Sequence, residues 1–266
     1  MPDEGVKAPL LVADRLRLAF GGVVATNDVS LEVASGELRG VIGPNGAGKS
    51  TLFGLISGHL RPDAGQVVLD GDRIDRLPPH RRAERGIAIV FQGARLFPGL
   101  SVLENVAVGA SGRTKAGIFA AAFRSPGQRR EERQIIEDSH EALRRVGLES
   151  WAERDPSQLP LGVQRRVQFA RALVAQPKLL LLDEPASGLR AGERSELEEL
   201  IRELAANGMT VLLIEHDVGL VMRLSHKITV LDLGSVIAEG SPEEIRKNQR
   251  VIDAYLGTKE HHAESR

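Results

Sequence analysis

The chain has 266 residues, 42% of them hydrophobic, so it can bury a sizeable core in one large or two modest domains. Its 35 basic and 36 acidic residues leave a formal charge of -1, which excludes a broad basic field for nucleic acid or anionic lipid. The absence of cysteine excludes disulfides, Cys-ligated zinc and thiol catalysis.

No segment has the pattern of a secretory signal or a membrane-spanning helix. Residues 1–7 carry acid early and lack an apolar stretch with a small-residue cleavage site. Apolar runs such as residues 179–182 and 211–214 are far shorter than the roughly 20 residues of a spanning helix. The sequence therefore predicts a cytoplasmic protein.

The first third of the chain predicts short strands that lead into a glycine-rich loop and a helix. Turn residues such as Gly21-Gly22 separate the strands. The predicted strands are residues 10–20, 29–33, 38–42, 66–70 and 87–91, and the predicted helices are residues 49–58 and a basic segment near 80–85.

The middle of the chain changes character, because charged residues lie among apolar ones at helical spacing. We predict an inserted helical subdomain over residues 94–163, in which residues 111–128 form an irregular excursion. From residue 164 the α/β alternation resumes, with strands at 178–182 and 209–215 and a helix at 191–207. Strands that are apolar throughout are typical of a mostly parallel sheet covered on both faces.

The loop before the first helix fits G-x-x-x-x-G-K-[ST] and lies between a strand and a helix, where that motif has to lie. Its glycines let backbone N–H groups surround phosphates, Lys49 adds a point charge, and the Ser50 hydroxyl can bind Mg²⁺. Thr51 is placed for a further phosphate contact. The loop predicts ATP binding through Gly43, Pro44, Asn45, Gly46, Ala47, Gly48, Lys49 and Ser50.

Two later strands end in residues that could serve a phosphate site. Four leucines precede Asp183 and Glu184, which places both carboxylates at the carboxyl edge of a parallel sheet, where ligands bind. Asp183 could hold Mg²⁺ and Glu184 could polarise the attacking water. His216 ends another apolar strand and could reach the γ-phosphate, although a lone histidine there is also compatible with a structural role.

The order of these motifs, with Phe91-Gln92, residues 159–166 and Glu215-His216-Asp217, resembles the nucleotide-binding subunit of an ABC transporter. The resemblance covers nearly the whole chain. It implies an α/β fold: a RecA-like P-loop NTPase core with a mostly parallel sheet, an N-terminal antiparallel β subdomain and the inserted helical subdomain. It also implies a nucleotide-binding domain over residues 8–257, with C-terminal elements at 226–257 and a flexible tail at 258–266.

The same resemblance implies roles for individual residues. Gln92 would sense the γ-phosphate and Mg²⁺, Phe20 would stack on adenine, Glu184 would be the general base, and His216 would be the switch histidine. Residues 20–25, the excursion at 111–128 and the tail through 240–257 are similar to the ATP-binding subunits of branched-chain amino acid importers.

The signature segment departs from the family pattern, usually Leu-Ser-Gly-Gly-Gln. It reads Leu159-Pro160-Leu161-Gly162-Val163, and Pro160 has neither a hydroxyl nor an N–H to offer a phosphate. Arg190 also stands where the family commonly has Asp or Asn. Pro160, Leu161 and Gly162 would contact the ATP of a partner, so we expect slow or asymmetric hydrolysis.

The implied assembly is a dimer, identical or mixed, of ATP-binding subunits on the inner face of the cell membrane. It would drive permease subunits, docked near residues 96–100, and would act indirectly with a periplasmic or lipid-anchored substrate-binding protein; no nucleic-acid partner is expected. Uptake of urea, amides or aromatic acids stays open as an alternative. So do a soluble ABC protein of translation or repair and a non-hydrolysing regulator, although one phosphate loop without a coiled-coil insert disfavours the former and Glu184 with His216 the latter.

Overall fold

The computed structural model describes residues 8–93, 96–112 and 126–255, with the side chains of 126–129 left aside. The predicted excursion at 111–128 lies largely outside these ranges, and the predicted tail at 258–266 lies wholly outside them. Within the described ranges, no helix is both long and apolar enough to cross a membrane.

Four strands near the N-terminus form an antiparallel sheet, in the order β2-β1-β4-β5. Buried and exposed residues alternate along much of β1, as expected where one face of a sheet packs on a core. The strands are β1 (Leu11–Phe20), β2 (Val23–Val33), β4 (Ala64–Leu69) and β5 (Asp72–Arg73).

The second sheet has six strands in the order β10-β9-β3-β8-β7-β6, of which only β10 runs antiparallel to its neighbour. β3 lies between β8 and β9, so both of its edges are paired. The strands are β3 (Leu38–Ile42), β6 (Ile87–Val90), β7 (Leu179–Asp183), β8 (Thr210–Ile214), β9 (Lys227–Asp232) and β10 (Ser235–Gly240).

The segment between β6 and β7 is helical wherever the structure describes it. It holds α3 and α4 and begins α5, and short 3₁₀ turns join them. The helices of the chain are α1 (Lys49–Ser57), α2 (Pro79–Glu84), α3 (Val102–Ala107), α4 (Pro126–Arg145), α5 (Leu161–Leu173), α6 (Ala191–Ala206), α7 (Val218–Leu224) and α8 (Pro242–Lys247), followed by a helical stretch over residues 249–255.

The parallel sheet is covered on both faces, which explains its uniformly apolar strands. Along β7, Leu180 and Leu182 pack into one hydrophobic cluster with the helices, while Leu179 and Leu181 pack into a second cluster with α1 and the antiparallel sheet. Parallel strands bring their carboxyl ends to one edge, so the residues that follow β3, β6, β7 and β8 gather there.

Candidate nucleotide site

The phosphate loop joins β3 to α1 and is packed against two other strands. A Cβ atom at Gly43 would lie 2.2 Å from the Leu231 carbonyl oxygen, and one at Gly48 would lie 2.5 Å from the Ala25 carbonyl oxygen. Gly48, at the start of α1, has a φ of 99°, a conformation that favours glycine. Packing and backbone conformation therefore both require glycine in this loop.

Lys49 begins α1 and turns its side chain back over the loop. Its Nζ atom donates hydrogen bonds to the carbonyl oxygens of Gly43 and Pro44, at 2.7 Å and 2.9 Å. Burial lowers the pKa of the Lys49 ammonium, and the nearby Glu184 carboxylate opposes that shift. Ser50 is exposed and Thr51 is half-buried in the first turn of α1, where N–H groups and helix dipole favour an anion.

Asp183 ends β7, and the chain reverses direction at Glu184. Glu184 has a φ of 45°, which is uncommon for a residue other than glycine, and its amide donates to the Ile214 carbonyl at 2.8 Å. Burial raises the pKa of the Asp183 carboxyl, and the charges of Glu184 and Glu215 raise it further. The Asp183 carboxylate therefore lies where a cation would be favourable.

Gln92, Glu184 and His216 follow three different strands and meet at the sheet edge. The Gln92 Nε2 atom donates to Glu184 Oε2 at 2.9 Å. The His216 Nδ1 atom lies 3.4 Å from the same carboxylate oxygen. Residues more than 30 positions apart in sequence thus share one carboxylate group.

Two residues that the sequence analysis did not single out support this cluster. Ser187 accepts a hydrogen bond from Gln92 Nε2 at 3.3 Å. Glu215 is fully buried and accepts hydrogen bonds from the amides of Ala186 and His216, at 3.0 Å and 3.1 Å. The detectable signal for Glu215 was an acid at the end of an apolar strand, the same signal that identified Asp183.

The signature residues lie at the start of α5, apart from the cluster. Pro160 and Leu161 are exposed, and the Gly162 amide donates to Glu193 Oε1 on α6 at 3.0 Å. Among the described residues, these three make no hydrogen bond to the phosphate loop of the same chain. Phe20, the residue expected to stack on adenine, is 52% exposed at the end of β1, beside the turn into β2.

The C-terminal segment also reaches the phosphate loop. The Gly43 amide hydrogen-bonds the Tyr255 hydroxyl, and burial raises the pKa of this phenol to about 12. Tyr255 follows a short helical stretch that packs through Val251 onto the helix-side cluster. The first glycine of the loop is therefore held both by Lys49 and by a residue from the end of the chain.

Comparison with protein families gives two matches along the chain. A family model described as ABC transporter matches residues 26–187, from β2 to the loop that follows Glu184. A second model, described as branched-chain amino acid ATP-binding cassette transporter, matches residues 235–261, which include β10 and Tyr255.

Curated relatives match almost end to end. The chain is 43% identical over 250 residues to LivG of Salmonella typhimurium, a high-affinity branched-chain amino acid transport ATP-binding protein, covering 94% of this chain and 98% of that one. The corresponding BraF protein of Pseudomonas aeruginosa is 41% identical over the same shares. The lipopolysaccharide export ATP-binding protein LptB of Escherichia coli is 35% identical, over 93% and 97%.

Solved structures agree with these matches. An ATP-binding cassette of an ABC transporter in its ADP conformation is 27% identical, with a TM-score of 0.79, covering 94% of this chain and all of that one. A dimeric cassette bound to ADP and Pi is also 27% identical, with a TM-score of 0.70 over 87% and 98%. These findings confirm the fold class and the resemblance drawn from the motifs.

Proposed function

We propose that this chain, which belongs to the ABC transporter family of ATPases, binds and hydrolyses ATP to drive an importer of branched-chain amino acids. The observation that carries the proposal is the hydrogen-bonded set of Gln92, Glu184 and His216 beside the phosphate loop. That set places a carboxylate, an amide and an imidazole close to Lys49, whose pKa responds to the Glu184 charge.

The phosphate loop and α1 would bind the triphosphate. Backbone N–H groups around Gly46 and Gly48, the N-terminus of α1 and the Lys49 ammonium all favour an anion. Thr51 would add a hydroxyl contact, and the exposed ring of Phe20 would stack on the adenine. The remaining loop residues, Gly43, Pro44, Asn45 and Ala47, would shape the backbone around the phosphates.

Three residues would hold Mg²⁺ with the nucleotide: Ser50, Gln92 and Asp183. Hydroxyl, amide and carboxylate oxygens are the ligands that Mg²⁺ prefers. The raised pKa of Asp183 supports this assignment, because a cation would relieve the repulsion from Glu184 and Glu215. When bound, Mg²⁺ would neutralise part of the charge that the phosphates carry.

Glu184 would act as the general base. Its Oε2 atom accepts a hydrogen bond from Gln92 and lies near His216 Nδ1, so both neighbours fix the direction of the carboxylate. Glu184 would orient the attacking water and accept its proton, while His216 and Gln92 would hydrogen-bond the γ-phosphate as charge develops on it.

The first test replaces the base. We expect Glu184→Gln to lower ATP turnover by at least about 100-fold, the usual contribution of a general base, while ATP binding is retained. Light scattering at saturating Mg-ATP should show a dimer, because the bound ATP is no longer consumed. Glu199→Gln is the matched control, since Glu199 is exposed on α6 and bonds Arg202.

The result of that test is decisive in both directions. Turnover near that of the unaltered chain, or a monomer at saturating Mg-ATP, would contradict the proposed base and the ATP-dependent dimer. Two solved cassettes similar to this chain are described as dimers, one of them with ADP and Pi, which supports the arrangement.

The loop at residues 96–100 is proposed to dock on the permease. Phe97 is 46% exposed, yet its backbone is held by Asn105, a fully buried side chain. Asn105 accepts from the Phe97 amide at 2.7 Å and donates to the carbonyls of Phe97 and Leu100, both at 3.1 Å. An exposed aromatic ring on a braced loop fits a protein interface. The assembly would lie on the inner face of the cell membrane and act with an external substrate-binding protein.

The cargo is tested by uptake in the source organism. We expect deletion of the gene to abolish uptake of radiolabelled leucine at low external concentration, and the unaltered chain to restore it. Glu184→Gln should fail to restore uptake, because transport requires hydrolysis. Normal leucine uptake in the deletion strain together with lost uptake of urea, an amide or an aromatic acid would reject the proposed cargo and keep the ATPase.

A further inference from the structure

Two buried side chains on α5 hold the backbone on either side of Gln92. Arg165 Nη1 donates to the Phe91 carbonyl at 2.7 Å, and Gln168 Nε2 donates to the Gly93 carbonyl at 2.5 Å. Arg165 also bonds Gln168 Oε1 at 3.0 Å, so the two side chains act as one unit. Both are at most 2% exposed.

The same guanidinium reaches the loop that follows Glu184. Arg165 Nη2 donates to the Ser187 carbonyl at 3.4 Å, and the Arg165 charge interacts with that of buried Glu215. Arg165 therefore touches two of the loops around the proposed base, while its own helix begins at the signature residue Leu161.

This arrangement exceeds what packing alone requires. Burial of Arg165 disfavours its charge, and within the described residues its Nε atom has no hydrogen-bond partner. A buried arginine with an unsatisfied nitrogen is costly compared with an apolar side chain of similar volume. Its bonds go to backbone carbonyls, so they fix the path of the Gln92 loop and not one particular side chain.

We propose that Arg165 is a positioning residue that makes the Gln92 loop move with the N-terminus of α5 and thereby couples the two ATP sites of the dimer. This inference rests on the proposed function, in which α5 faces the ATP of the partner and Gln92 faces the chain's own ATP. Closure of the partner's ATP onto α5 would then set the position of Gln92 against Glu184.

The experiment measures ATP hydrolysis by the assembled transporter as a function of ATP concentration. We expect a Hill coefficient above 1 for the unaltered protein. Arg165→Gln should bring it to about 1 and lower kcat by about tenfold, the worth of one hydrogen bond to a charged group. The ATP affinity of the free subunit should stay within about twofold, since Arg165 does not contact the phosphate loop.

Arg166→Gln is the matched control. Arg166 is the next residue on α5, is partly exposed and pairs with Glu196 on α6 at 3.3 Å, so its loss leaves the Gln92 loop untouched. Gln168→Leu is a second test variant, which removes the Gly93 link without removing a charge. We expect it to lower the Hill coefficient in the same direction, and it keeps the test valid if Arg165→Gln folds poorly.

A double-mutant cycle separates positioning from a structural role. In a Gln92→Ala background, Arg165→Gln should cause no further loss of kcat, because the residue through which it acts is already absent. An equal loss in both backgrounds, a Hill coefficient of 1 in the unaltered protein, or Arg165→Gln and Gln168→Leu behaving like Arg166→Gln would overturn the inference. Failure of the proposed function is distinguished by the unaltered protein showing no hydrolysis.

Discussion

At the residue scale, Lys49 combines a charge with burial. The side chain is only 8% exposed and two backbone carbonyls accept its protons, so the ammonium is held at the site where phosphate would bind. Desolvation disfavours the charged form and lowers the pKa of Lys49, while an arriving polyphosphate favours the charged form. Protonation of Lys49 and ATP binding are therefore linked.

This linkage predicts a pH dependence of ATP affinity. Because the folded-state pKa of Lys49 lies below the ordinary lysine value, ATP affinity should fall as pH rises through it, at a pH where surface lysines are still charged. The measurement is the Kd for ATP above about pH 7.5, where the phosphates are fully ionised. Lys49→Arg is the comparison, since its guanidinium stays charged, so its affinity should be weaker but flat with pH. Parallel slopes for the two proteins would contradict the prediction.

The sequence predicts single site residues better than their contacts. Asp183 and Glu184 were identified because an apolar run ends in acids, and the phosphate loop because its spelling and its place between strand and helix agree. The hydrogen bond from Gln92 to Glu184 could not be predicted, because it depends on the side-chain conformations of residues on different strands. Ser187 was missed for the same reason. Roles for these residues stay predictions until the variants are measured.

At the element scale, α5 and β2 differ from what sequence reasoning gave. β2 begins at Val23 and not at residue 29, because the polar residues 26–28 look like a turn but continue the strand. Asp28 has a φ of 58° where the pairing of β1 with β2 shifts register, which marks a β-bulge. Local composition cannot reveal that a partner strand will absorb an extra residue. The boundaries of β3 matched, because turn residues stand on both sides of it.

The start of α5 carries the prediction for the altered signature. Pro160 is exposed at the N-cap with a ψ of 152°, a conformation that serine also adopts as an N-cap, so Pro160→Ser should be accommodated. We expect this change to raise ATP turnover of the assembled transporter by about tenfold, since one hydrogen bond to a charged group contributes ~1.5–3 kcal/mol. Val163 is better left unchanged, because it is buried in the helix-side cluster and glutamine would bring an amide into apolar packing.

Pro160→Ala separates the hydroxyl from the loss of proline. It relaxes the backbone in the same way but supplies no donor, so its turnover should stay near that of the unaltered protein. If the alanine and serine variants were equally fast, the missing hydroxyl would not be what limits hydrolysis. The Gly162 amide already donates to Glu193, which leaves a serine hydroxyl as a new donor at this helix start.

At the scale of the whole molecule, the architecture was predictable because its physical causes are periodic. Strands that are apolar on every residue require cover on both faces, and the two hydrophobic clusters supply it. The contact of Tyr255 with Gly43 was not predictable, because it joins the last described residue to the phosphate loop through tertiary packing. The identity of the partner subunit is likewise not encoded in local pattern.

The central position of β3 has a consequence for the newly made chain. The strand that carries the phosphate loop pairs only with β8 and β9, which are synthesised much later. At about 5–20 residues per second, translation from Ile42 to Asp232 takes on the order of 10–40 s. During that time β3 has two open edges, so a nascent chain cannot yet hold ATP, and this apolar strand is a segment for a chaperone to cover at the ribosome.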